Sequence, residues 1–237
     1  MNFKRNAKYF SPNPPSPKAS ISLVLIGLVL IIFFKSWLCG AIFILLAVLI
    51  GYAMYSGRPT DAEIDAQRDS LMSTLKDQAL KKLGIDEEET KIAPPLFLRG
   101  YSFGRSVLGD KANKNVCDKI GKDGYWRSPE CILSAFFFTE HEIHYYCRTA
   151  SLVSDAFKEY TEEFFYKDIV SIKTDEIEKP FLDPKTGKES LTQKTRGIAF
   201  MIRNTGGETT QCSCTNTQEA DEAVNAMRSL VRQKKNA

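Results

Sequence analysis

The chain has 237 residues, with 32 Lys and Arg against 29 Asp and Glu and a formal net charge of +3. So small a surplus, with both signs interspersed along the polar part, argues against nucleic acid as a partner. The mean hydropathy of -0.25 hides an uneven distribution, because no charged residue falls between Ala19 and Phe34 or between Ser36 and Ser56.

Residues 1–18 hold the proline and serine stretch that opens FSPNPPSPKAS, which cannot continue a helix and has little to bury. They are expected to form a disordered tail. The two apolar runs that follow, within 19–56, read ISLVLIGLVLIIFF and WLCGAIFILLAVLIGYAMY, with Lys35 and Ser36 between them. A single helix through both would be about 57 Å long, nearly twice the ~30 Å hydrocarbon core of a bilayer. The expectation is a transmembrane hairpin that turns at Lys35–Gly40, with Trp37, Tyr52 and Tyr55 as interfacial anchors. Lys4, Arg5, Lys8 and Lys18 precede the first run with no acidic residue among them. The positive-inside rule then puts the N-terminus and the following domain of an integral membrane protein in the cytoplasm.

Residues 57–93 show a helix start at Thr60, with Glu63 at capping-box spacing. Ile64, Arg68, Leu71, Leu75, Ala79 and Lys82 lie along one stripe, and Gly84 is a natural stop. An acidic linker and Pro94-Pro95 close this segment. From residue 94 to 237 the pattern turns to strands. CILSAFFF (131–138) and EIHYYCRTA (142–150) flank a short turn, with Ile143, Tyr145 and Cys147 on one face and His144, Tyr146 and Arg148 on the other. EEFFYKDIVSIKT (162–174) reads as a further strand. RGIAFMIRN and ETTQCSCT flank Thr205-Gly206-Gly207 as a second hairpin, in which Ile198, Phe200 and Ile202 meet Thr210, Cys212 and Cys214. Ala220, Ala223, Val224, Met227, Leu230 and Val231 then line one side of a last helix, its acids early and its bases late. The fold class expected is α+β, an antiparallel sheet or barrel capped by a C-terminal helix.

FFFTEHEIHYY, FFYKDIVSIK and FMIRNTGGETTQCSC with the helix EADEAVNAMRSLVRQ resemble, in order, elements of the bacterial pleckstrin-homology-like (PH-like) domains that follow an N-terminal transmembrane hairpin. The resemblance covers residues 95–237 and the hairpin, and the chain departs from it by insertions at 105–130 and 175–195. It implies a bent antiparallel sheet of about seven strands closed by a C-terminal helix. It also implies a bacterial inner-membrane location and binding to membrane surfaces or protein segments without enzymatic activity, and it supplies no site residues.

No catalytic, cofactor or metal site is expected. The six cysteines contain no Cys-x-x-Cys pair, and His141 and His144 lead into a strand instead of forming His-Glu-x-x-His on a helix. Neither a Gly-x-Ser-x-Gly elbow nor a phosphate loop is present. The candidate contact with lipid or a protein partner lies in the 105–130 loop, at Lys111, Lys114, Lys119, Lys122, Trp126 and Arg127. Each unpaired cation near an anionic surface contributes about 1 kcal/mol, but Asp110, Asp118, Asp123 and Glu130 largely cancel this. The function expected is a membrane-tethered binding or scaffold module. The competing expectation is a metal- or redox-responsive sensor using Cys147, Cys212 and Cys214.

Overall fold

The structure, a computed structural model, describes residues 1–12, 18–103, 107–109, 116–182, 189–214 and 218–235. Helix α1 (Phe3–Tyr9) starts at Asn2, whose side-chain oxygen accepts the Arg5 amide at 3.1 Å. A helix therefore stands within the segment for which the sequence suggested a disordered tail. Burial accounts for it. Asn6, Tyr9 and Phe10 face inwards and are enclosed by the body of the protein.

Helices α2 (Lys18–Phe34) and α3 (Trp37–Tyr55) form the expected hairpin, and Lys35 takes a positive φ of 51° at the turn. The arms touch at Gly27 and Gly40. A Cβ on Gly27 would lie 2.8 Å from the Gly40 carbonyl oxygen, and one on Gly40 2.6 Å from that of Gly27. The transmembrane reading is corrected, and the integral-membrane location with it. Among the described residues no helix is long and apolar enough to cross a membrane. With 17 and 19 residues, the arms reach about 26 and 28 Å, short of the ~30 Å apolar thickness.

The capping box forms as its spacing predicts. Thr60 Oγ1 accepts the Glu63 amide at 3.2 Å, and Glu63 Oε2 accepts the Thr60 amide at 2.7 Å. It opens α4 (Asp61–Ser70), a 3₁₀ turn (Leu71–Thr74) leads into α5 (Leu75–Leu83), and Gly84 ends the run at φ +69°. The strands are β1 (Leu96–Tyr101), β2 (Lys119–Ile120), β3 (Trp126–Arg127), β4 (Glu130–Phe138), β5 (Glu142–Ser151), β6 (Phe157–Phe165), β7 (Ile169–Leu182), β8 (Glu189–Asn204) and β9 (Thr209–Cys214), followed by α6 (Gln218–Lys235). The segment read as one strand over 162–174 is broken by a 3₁₀ turn at Tyr166–Asp168. The insertion expected at 175–195 extends the β7–β8 ribbon through most of its length.

Two antiparallel sheets result, in the orders β1-β4-β5-β6 and β7-β8-β9, with β2-β3 as a small ladder of its own. Alternation decides what each face meets. Leu98, Phe136, Tyr145 and Cys147 point inwards to Phe200 and Cys212 of the second sheet and to Val224, Met227 and Val231 of α6. Leu133, Ala135, Phe137 and Tyr146 point outwards and are covered by Leu75 and Ala79 of α5. The α+β class holds, but the barrel does not, because the sheets are not closed on one another. The first and second sheets meet by packing at Gly100, where an added Cβ would lie 2.5 Å from Ser213 Cβ and 2.9 Å from its carbonyl carbon.

Gly100→Val should therefore push β1 off β9. Overpacking of this kind costs about 1–3 kcal/mol. The urea midpoint of the full chain should fall with little change in slope, and an unchanged midpoint would show that the sheets do not touch there.

Candidate functional site

Three features meet near the base of the hairpin. The first is a clamp on its N-terminal end. Asn6 Nδ2 donates to Gln67 Oε1 and to the Leu152 carbonyl, both at 2.7 Å. Arg5 pairs with Glu63 at 2.6 Å, and Tyr9 Oη donates to Asp61 Oδ1 at 2.6 Å. The Phe10 carbonyl accepts the Cys117 amide at 2.9 Å, and Lys119 Nζ stands 3.8 Å from the Tyr9 ring centre. Burial raises the Asp61 carboxyl, yet the hydrogen bonds from Tyr9 and the Lys122 amide outweigh it and hold the group below its ordinary value. Since α4 begins directly after the hairpin's second arm, α1 and α4 together fix both ends of the hairpin to one body.

The second feature is a cleft of about 560 Å³ lined by Tyr101, Phe103, Trp126, Ile198 and the charged groups beneath them. Phe103 stacks on Trp126 with ring centres 4.7 Å apart. Its far edge occupies the space where a side chain on Gly197 would be, so β8 needs glycine there. The floor is an ion cluster. Arg127 donates from Nη2 to Asp65 Oδ2 and to Asp123 Oδ2, both at 2.6 Å, while its Nε and Nη1 reach the other two oxygens at 3.1 and 2.9 Å. Those bonds from Arg127 hold the Asp123 carboxyl down at about 2. Tyr101 Oη donates to Asp65 at 2.6 Å, and the Arg68 guanidinium lies 4.9 Å from the Tyr101 ring centre. The cluster is paired internally, which leaves the aromatic side chains as the rest of the cleft wall. Cys214 lines the cleft too, but burial pushes its thiol up to about 12, so it is no ready nucleophile.

The third feature is the outer surface of the hairpin. Leu25, Ile32, Phe33, Leu38, Leu45, Val48 and Leu49 are exposed on its several sides, as is Trp37, which is 75 % exposed next to the turn. This apolar surface is large for a folded protein, and such surfaces mark contact with a protein or with lipid.

The six residues proposed from sequence as a lipid or partner surface do not form one patch. Trp126 and Arg127 are buried in the cleft wall and floor. Lys119 covers Tyr9, and Lys122 binds Asp61 through its backbone. Lys111 and Lys114 lie outside the described residues. Sequence reading missed Asp65, which joins Arg127 to Tyr101, because nothing in the pattern of α4 ties it to a strand over thirty residues away. It also missed Asn6, Tyr9 and Phe10, for which a short apolar pair beside an asparagine was the one available signal. The sequence matches no known protein-family model and no curated protein.

Asp118, beside this cluster, supplies a pH test. Burial raises its carboxyl to about 6, and Glu130 adds to the rise, while hydrogen bonds from Ser128 and Trp126 oppose it. A carboxyl raised on folding contributes stability below its unfolded value near 4, and that contribution is lost as pH rises to about 6. Wild-type stability should thus fall between pH 4 and 6 by roughly 1–2 kcal/mol from this group, after allowance for partial exposure. Asp118→Asn should flatten that part of the profile in urea titrations. An unaltered slope would show that Asp118 is solvated.

Proposed function

We propose that the chain is a non-enzymatic binding module that attaches to lipid through its apolar hairpin and offers its aromatic cleft to a protein partner. The outward face of α2 and α3 carries this reading. Helices apolar on every side are buried in protein or lipid, and a second copy of the hairpin would cover one side and leave the other in water. Acyl chains cover all sides at once. The reading asks for contact with acyl chains and for no helix that reaches from one face of a bilayer to the other.

The placement of other groups supports it. Trp37 and Tyr52 are exposed towards opposite ends of α3, and such side chains favour the boundary between acyl chains and water. Lys35 lies at the turn, with Lys4 and Lys8 at the clamped end. Attachment also raises the local concentration of the body, so weak contacts in the cleft suffice for binding.

Flotation of the full chain with phosphatidylcholine vesicles, with and without phosphatidylglycerol, tests it. The wild type should float with both. The combined changes Leu25→Glu, Val29→Glu, Leu45→Glu and Val48→Glu should abolish flotation while the near-ultraviolet circular dichroism of the body persists. A wild type that stays with the soluble fraction as a tight dimer would replace lipid by a second copy of the hairpin.

A further inference from the structure

On the outer face of the first sheet, away from the cleft and from the cysteines, two carboxylates meet a buried imidazole. Glu142 and His144 are two apart on β5 and so share a face. The β5–β6 register sets His144 directly opposite Glu163. The His144 side chain is only 9 % exposed. Its Nδ1 is buried without a hydrogen-bond partner and faces Glu163 Oε1 at 3.6 Å, while Nε2 lies 3.3 Å from Glu142 Oε1. One ligand atom from each of the three residues lies within 4.8 Å of the other two.

We propose that Glu142, His144 and Glu163 bind one divalent transition cation, with zinc the best match. Zinc takes imidazole nitrogen and carboxylate oxygen at about 2.0–2.2 Å, which sets tetrahedral ligand atoms roughly 3.3–3.6 Å apart. One imidazole gives a single nitrogen to one cation. Either the 3.3 Å pair at Nε2 or the 3.6 Å pair at Nδ1 therefore already has this spacing, and the remaining glutamate, within 4.8 Å, must rotate inwards to complete the set. Magnesium and calcium fit less well, since both favour six or more oxygen ligands. A cation on Nδ1 satisfies the orphaned nitrogen and offsets the repulsion between two carboxylates held across one strand pair. Glu163 is exposed, giving the ion a path from solvent. Three protein ligands leave a fourth position for water or for a donor from a partner.

The test uses the full chain freed of metal and titrated with Zn²⁺ and, separately, Co²⁺. One equivalent should bind, and Zn²⁺ should raise the melting temperature. Glu142→Gln and Glu163→Gln should each weaken binding roughly tenfold or more, with the metal-free melting temperature kept near wild type. Bound Co²⁺ should show d–d bands without the near-ultraviolet charge transfer that a thiolate produces. No uptake, uptake unaffected by both variants, or a thiolate band would overturn the assignment.

Discussion

The burial of Tyr9 and Phe10 against the body is the contact on which the rest of the arrangement depends. Without it the hairpin would be attached to the domain at one end alone, through α4. With it, residues 18–55 leave and return at one place, held by the bonds of Asn6, Tyr9 and Phe10 to Gln67, Leu152, Asp61 and Cys117. Phe10 is fully buried, and truncating a side chain of that size in a core typically costs about 3–5 kcal/mol. The hairpin is thereby a projection with a fixed base, its free end at Lys35.

The clamp and the cleft share residues. Asp61 accepts from Tyr9 and from the Lys122 amide. Asp65, one turn further along α4, accepts from Arg127 and Tyr101. One face of a single helix thus touches both α1 and the cleft floor. A change at the base of the hairpin has a short physical route to the aromatic wall through α4. The buried arginine is costly unless paired, and its two carboxylates meet that cost, so the cleft depends on α4 being in place.

Much of the fold was legible because local signals agreed with the tertiary arrangement. Thr60 and Glu63 marked the start of α4, and Gly84 marked the stop of α5. The alternation set Ile143, Tyr145 and Cys147 together on one face of β5, which the structure shows to be the inner one, and the register of Phe200 with Cys212 followed from the turn between β8 and β9. Four things were not legible. Prolines near residue 14 hid α1, whose stability comes from docking and not from propensity. The hydropathy of the two apolar runs spoke for a transmembrane pair, yet the helices they form stop short of the length a crossing needs. Charge counts across the 105–130 loop treated Arg127 as a surface cation, although pairing with Asp65 and Asp123 takes it into the interior. His144 and Glu163 come together through strand register alone, which no spacing in the sequence displays.

The chain holds two tryptophans, one exposed on the hairpin at Trp37 and one in the cleft wall at Trp126, and these allow the account to be tested within one molecule. Fluorescence of the Trp37→Phe and Trp126→Phe variants, each leaving a single reporter, should be recorded in vesicles whose acyl chains carry bromine. The account predicts strong quenching of Trp37 and little of Trp126, because the hairpin meets acyl chains while the clamped body stays in water. Equal quenching of both, or quenching of neither, would contradict it.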